Sequence, residues 1–166
     1  AGAASLAEEV QARDLLEDAL RMNAGALAQH QVTVVKEFAD VPLLLLDKPR
    51  VLQILVNLIG NAQQAMDGVT DRARQITLRL DIADLAVGRR LRIGVADNGQ
   101  GIAPENMTRI FSHGFTTKKS GHGFGLHSAV LAAKEMGGSL TAHSEGSGKG
   151  ATFTLELPVK TVGGPA

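Results

Sequence analysis

The chain contains no cysteine, tryptophan or tyrosine, and its five phenylalanines leave it only 3% aromatic. Without cysteine there is no disulfide, no thiolate zinc site and no cysteine nucleophile. An excess of charge is missing too. Seventeen basic residues balance 17 acidic ones, so the footprint of a protein that grips nucleic acid or an anionic membrane over a wide face is absent. No apolar run approaches the roughly 18 residues of a membrane span, and the Ala-rich start has no basic region followed by a signal core. The lack of an initiating Met leads us to expect a piece of a longer protein. What remains is an ordinary globular composition, 44% hydrophobic over 166 residues. A chain of this size buries about two-thirds of its extended surface on folding.

Residues 5–28 place Leu6, Val10, Leu16, Leu20 and Leu27 at helical spacing, with Ser5 and Glu8 as a capping box, and predict one amphipathic helix. Residues 32–38 and 43–46, parted by Pro42, predict two short extended pieces. Asp47 then stands where an N-cap belongs, with Pro49 in the first turn. Val51, Leu52, Leu55, Leu58, Ile59 and Ala62 follow at helical intervals, so a long helix is predicted over 48–66. A polar loop at 67–74 precedes alternating runs at 76–85 and 91–96, a hairpin joined through residues 87–90. Pro104 opens a short helix, and residues 112–125 form a Gly-, Thr- and Lys-rich loop expected to be mobile. A helix at 124–136 closes on Gly137 and Gly138, and 140–144 and 152–159 make a final strand pair. The Gly- and Pro-rich tail from Lys160 is expected not to pack. Helices and hairpins alternating in blocks predict an α/β two-layer sandwich, a mixed sheet covered on one face by helices.

Three clusters can carry chemistry. Asn57 and Asn61 lie four residues apart on one face of an otherwise apolar helix. Such amides either cap neighbouring backbone or offer a carbonyl oxygen to a magnesium ion that already carries phosphates. The run Asp97-Asn98-Gly99-Gln100-Gly101-Ile102 ends a strand. It reads as a turn, or as a carboxylate that accepts an exocyclic amine beside glycines that let a flat ring approach the backbone. The run Gly121-His122-Gly123-Phe124-Gly125-Leu126 opens a helix, where consecutive amides and the helix N-terminus suit phosphate. It is neither a Walker A loop, since no Gly-Lys-Ser/Thr follows, nor a dinucleotide fingerprint, since no strand precedes it.

These clusters occur in one order, followed by Gly146, Gly148, Gly150 and Thr152. In that order the chain resembles the catalytic, ATP-binding domain of sensor histidine kinases of the GHKL superfamily. The N box falls at 53–65, the G1 box at 97–102, the F box at 110–117, the G2 box at 121–126 and the last Gly-rich box at 146–152, so the likeness covers 32–159. It implies the Bergerat fold, a mostly antiparallel sheet with about three helices on one face. ATP and Mg2+ are the implied cofactors. Residues 1–31 would be a helical remnant of the dimerisation domain and linker, 32–160 the kinase catalytic domain, and 161–166 a disordered tail.

The resemblance also implies roles. Asn61 would coordinate the magnesium ion, with Asn57 in support, and Asp97 would accept the adenine amine. Gly99, Gly101 and Ile102 would line the base, with Thr152 reaching Asp97 or adenine through a water. The amides of Gly123, Gly125 and Leu126 would hold phosphates, with Gly121, His122 and Phe124 beside them among the nucleotide-binding residues; Phe111, Phe115 and Thr117 would belong to the lid, and Lys118 would meet the γ-phosphate. Superfamily members that hydrolyse ATP carry a Glu one turn before the magnesium Asn, to position water. Here that residue is Asn57, and an amide is no general base. The expected activity is therefore transfer of the γ-phosphoryl to a histidine of a dimerisation domain, and onward to an aspartate of a response regulator. None of His30, His113, His122, His127 and His143 stands in the helical His-Glu/Asp-x-x-x-Pro setting of a phosphoacceptor. The alternatives are a GHKL ATPase and a serine-type protein kinase on the same fold. A cytoplasmic location, within a sensor that is membrane-anchored or free, and a monomer or weak dimer without nucleic-acid or membrane contacts complete the expectation.

Overall fold

The computed structural model describes residues 7–86, 88–107, 109–111 and 124–162. The chain runs through β1 (Ala7–Val10), α1 (Ala12–Met22), α2 (Ala24–Gln29), β2 (Val32–Phe38), β3 (Leu44–Asp47) and α3 (Lys48–Ala65). There follow β4 (Arg74–Leu85), β5 (Gly88–Asp97), a 3₁₀ turn (Pro104–Asn106), α4 (Phe124–Glu135), β6 (Ser139–His143), β7 (Ala151–Pro158) and β8 (Lys160–Thr161).

Helix α3 is the centre of the helical layer, and its start and inner face are as its residues dictate. The Asp47 carboxylate accepts the Arg50 N–H at 3.3 Å, an N-cap of the kind that contributes about 1 kcal/mol. Val51, Ile54, Leu55, Leu58 and Ile59 are buried along one stripe. Each such aliphatic side chain contributes about 1.5–3 kcal/mol when taken from water. The stripe lies against a five-stranded sheet of order β2-β4-β5-β7-β6, in which only the β2–β4 pair is parallel. Strand β7 shows why one face is covered: Ala151, Phe153, Leu155 and Leu157 are buried, while Thr152, Thr154 and Glu156 alternate on the other side. Ile76, Leu78 and Leu80 of β4 and Leu91, Ile93 and Val95 of β5 complete the buried face. The architecture is thus the two-layer α/β sandwich with a mostly antiparallel sheet.

Two expectations at the chain's ends are corrected. The single helix over 5–28 is instead strand β1 followed by α1 and α2, with a break at Asn23. Residues Ala7 to Val10 pair antiparallel with β3, and this pairing outweighs a helical spacing that is only a weak local preference. Contrary to the expectation of an unpacked tail from Lys160, β8 takes the other edge of β3 and Val162 N–H donates to Leu43 O at 3.0 Å. Strand β3 is thereby hydrogen-bonded on both sides in a small second sheet, which leaves it no open edge. Ala12, Leu15, Leu16 and Ala19 of α1 are buried in the same core as α3 and the large sheet. No helix among the described residues is long and apolar enough to cross a membrane.

Candidate nucleotide site

The two layers meet at the C-terminal ends of α3 and β5. Ala65, the last residue of α3, accepts the Gln100 N–H through its carbonyl at 2.8 Å. Gly99 is buried so tightly there that a Cβ would overlap the Ala65 carbonyl oxygen and stand 2.7 Å from its carbon. The 97–102 turn is thus seated on the helix end. Asn61 lies one turn back, about 6 Å along the axis at 1.5 Å per residue.

Asp97 is the last residue of β5, opposite Ile76 of β4 and Ala151 of β7. Both neighbours are buried on the helix side, so Asp97 faces the helical layer. Its Oδ1 accepts the Gly99 N–H at 2.8 Å, which ties the orientation of the carboxylate to the shape of the turn. The register does not bring Thr152 to it. Thr152 pairs with Ala96 and stands on the opposite face of the sheet, and Ala151 holds the place beside Asp97.

A second loop closes over the first. Gly101 has φ +72°, and a Cβ on it would overlap the Gly146 carbonyl oxygen. Gly148 N–H donates to Gln100 O at 2.6 Å and Gly150 N–H to Gly99 O at 3.2 Å. Ser144 accepts the Ile102 N–H at 3.0 Å, and its hydroxyl lies 2.6 Å from Gly150 O. Arg72 spans both loops: its Nε donates to Asn98 O at 2.9 Å and its Nη2 to Gly99 O at 3.1 Å and Gly148 O at 3.4 Å. The Asn98 side chain in turn accepts from Gln75 N and donates to Ala73 O, at 2.9 and 2.7 Å. Sequence reasoning missed Arg72 and Ser144.

Asn57 and Asn61 are half-buried on one side of α3. Gln53 donates to Asn57 Oδ1 at 3.4 Å, and the Cβ position of Gly125, in the first turn of α4, is 3.7 Å from Asn57 Cγ. The N-terminus of α4 is therefore set directly against the amide of Asn57, while Leu126 packs on the core. Among the described residues the Asn61 amide has no hydrogen-bond partner. Phe111 stacks edge-on against Phe153, ring centroids 6.2 Å apart, and its carbonyl lies 3.1 Å from His127 Nδ1 of α4. The expected contributions of Phe115, Thr117, Lys118, Gly121, His122, Gly123 and the Phe124 side chain lie outside the described residues.

These residues fit a magnesium nucleotide on their own chemistry. A carboxylate beside a close-packed glycine offers an acceptor at one end, and a helix N-terminus with a carboxamide beside it offers donors and a hard oxygen at the other. Among the described residues no group of three or more His, Asp or Glu could cage a metal. A cation here would be held chiefly by phosphates, with an amide oxygen in support, as magnesium tolerates.

The same arrangement of layers is found in solved histidine kinases. Full-length ShkA in complex with AMPPNP superposes with a TM-score of 0.84 at 27% identity, over 100% of this chain and 34% of that one. The nucleotide-free catalytic domain of histidine kinase ThkA gives 0.77 at 24% identity, over 92% and 95%, a likeness of fold. Among curated proteins, the sensor histidine kinase ZraS of Escherichia coli K12 is 36% identical over 121 residues, 72% of this chain and 24% of its own length. The C4-dicarboxylate transport sensor protein DctS of Rhodobacter capsulatus is 32% identical over 154 residues, 92% of this chain and 23% of that protein. The profile of the family described as "Histidine kinase-, DNA gyrase B-, and HSP90-like ATPase" matches residues 46–161. The chain belongs to that family, and within it to the ATP-binding domains of sensor histidine kinases. It spans about a quarter of the length of the curated relatives it matches.

Proposed function

We propose that this domain holds Mg-ATP for transfer of the γ-phosphoryl to a histidine on a dimerisation domain of the whole protein, with a response-regulator aspartate as the next acceptor. The observation that carries the reading is Asn57 seated against the N-terminus of α4 at Gly125. A carboxylate in that place could draw a proton from water. An amide cannot, so the site holds the triphosphate without activating a hydrolytic nucleophile.

The roles divide along the site. Asp97 accepts the adenine amine through its carboxylate, whose orientation the Gly99 N–H helps to set, and Gly99 and Gly101 keep the base against backbone. The amides of Gly125 and Leu126 at the start of α4 face phosphate, where the helix N-terminus favours negative charge. Asn61 offers its amide oxygen to the magnesium ion, which supplies charge neutralisation on the phosphates. Catalysis then rests on positioning, with the acceptor histidine brought in line from another domain.

Asn61→Ala is expected to abolish the magnesium-dependent part of ATP affinity while leaving the magnesium-free part unchanged. Titration of ATP with and without EDTA reads both. Equal magnesium enhancement in the variant and the parent would remove Asn61 from the metal.

A further inference from the structure

Three backbone carbonyls, those of Asn98, Gly99 and Gly148, converge on the Arg72 guanidinium. Left to themselves, oxygens pointing into one space repel and splay apart. A planar fork with several donors holds them together in a way that the compact charge of a lysine does not match. The guanidinium is itself pinned by Asp71, with Nη1 at 2.9 and 3.2 Å from its two oxygens.

The consequence reaches the carboxylate through one residue. Gly99 N–H donates to Asp97 Oδ1 at 2.8 Å, and Gly99 O is one of the carbonyls that Arg72 holds. Gly99 O also takes the Gly150 N–H, so the same clamp fixes the second loop over the first. Close packing on Ala65 stops Gly99 from drifting towards the helix, while Arg72 and the Gly150 N–H hold its carbonyl.

We propose that Arg72 is a positioning residue for nucleotide selectivity: it sets the 97–99 turn in the shape that aims Asp97 at an exocyclic amine. Its role is to hold the turn, without contact to the nucleotide. The inference rests on the proposed reading of Asp97 as the adenine acceptor.

The test is competition of ATP and of GTP against fluorescent trinitrophenyl-ATP on the full chain, with parent, Arg72→Ala and Arg72→Lys compared and their melting temperatures recorded. For Arg72→Ala, ATP is expected to bind about tenfold more weakly, the scale of losing one charge-assisted hydrogen bond. GTP binding is expected to stay the same, so the ratio of ATP to GTP affinity falls by the same factor. Arg72→Lys is expected to fall between the two and carries the test if the alanine variant does not fold. An unchanged ratio in both variants would overturn the proposal, and so would an equal loss of ATP and GTP, which is the mark of a merely structural role. A parent with no preference for ATP over GTP would instead defeat the reading of Asp97, and the inference with it.

Discussion

Asp97→Asn is expected to weaken ATP binding by about ten- to a hundredfold, the range of a hydrogen bond to a charged group. The geometry explains why so conservative a change should cost so much. Oδ1 is already committed to the Gly99 N–H at 2.8 Å. An amide that keeps its oxygen there must turn its NH₂ towards the base, where it meets the adenine amine donor to donor. If it flips, the NH₂ faces the Gly99 N–H and that buried donor loses its partner. The first orientation suits the carbonyl of guanine, so the preference for ATP over GTP should collapse or reverse. Competitive binding of the two nucleotides to the variant measures this directly. An undiminished preference for ATP would mean that another group reads the base.

The second large effect is on stability. Gly101→Ala places a side chain at φ +72° and drives its Cβ into the Gly146 carbonyl. Backbone strain and overpacking together are expected to destabilise the domain by about 3 kcal/mol. For a domain of this size that lowers the melting temperature by about 10 °C. Gly68→Ala is the internal control: its φ is +84° but nothing lies within 4 Å of the added carbon. Only the backbone term applies there, about 1 kcal/mol, and a melting temperature about 3 °C lower. Equal shifts for both variants would show that the two loops do not pack as described.

The contrast between those glycines also shows which features are legible in a sequence. Helix α3 carries its own signals, a capping carboxylate at Asp47 and an apolar stripe from Val51 to Ala62, and both are local. Strand β7 alternates strictly, so its buried face can be written down from its residues alone. The Asn and Gly clusters are legible because their order is informative even where each is weak. Strands β1 and β8 are not legible, because pieces of four and two residues have no period to detect and exist by pairing with β3. Arg72 is hidden for a related reason: its partners are backbone carbonyls 26, 27 and 76 residues away, and no spacing of side chains announces them. Thr152 shows how narrow the margin is. A strand alternates with period two, so a choice one residue too late moves the side chain to the far face of the sheet.

Phosphorus NMR distinguishes a domain that holds Mg-ATP from one that hydrolyses it. Stoichiometric protein, magnesium and ATP would be followed for several hours. The ATP resonances are expected to shift and broaden and to persist with no growth of free phosphate. Unshifted ATP would contradict binding, and steady release of phosphate would contradict the role assigned to Asn57 and identify the domain as an ATPase.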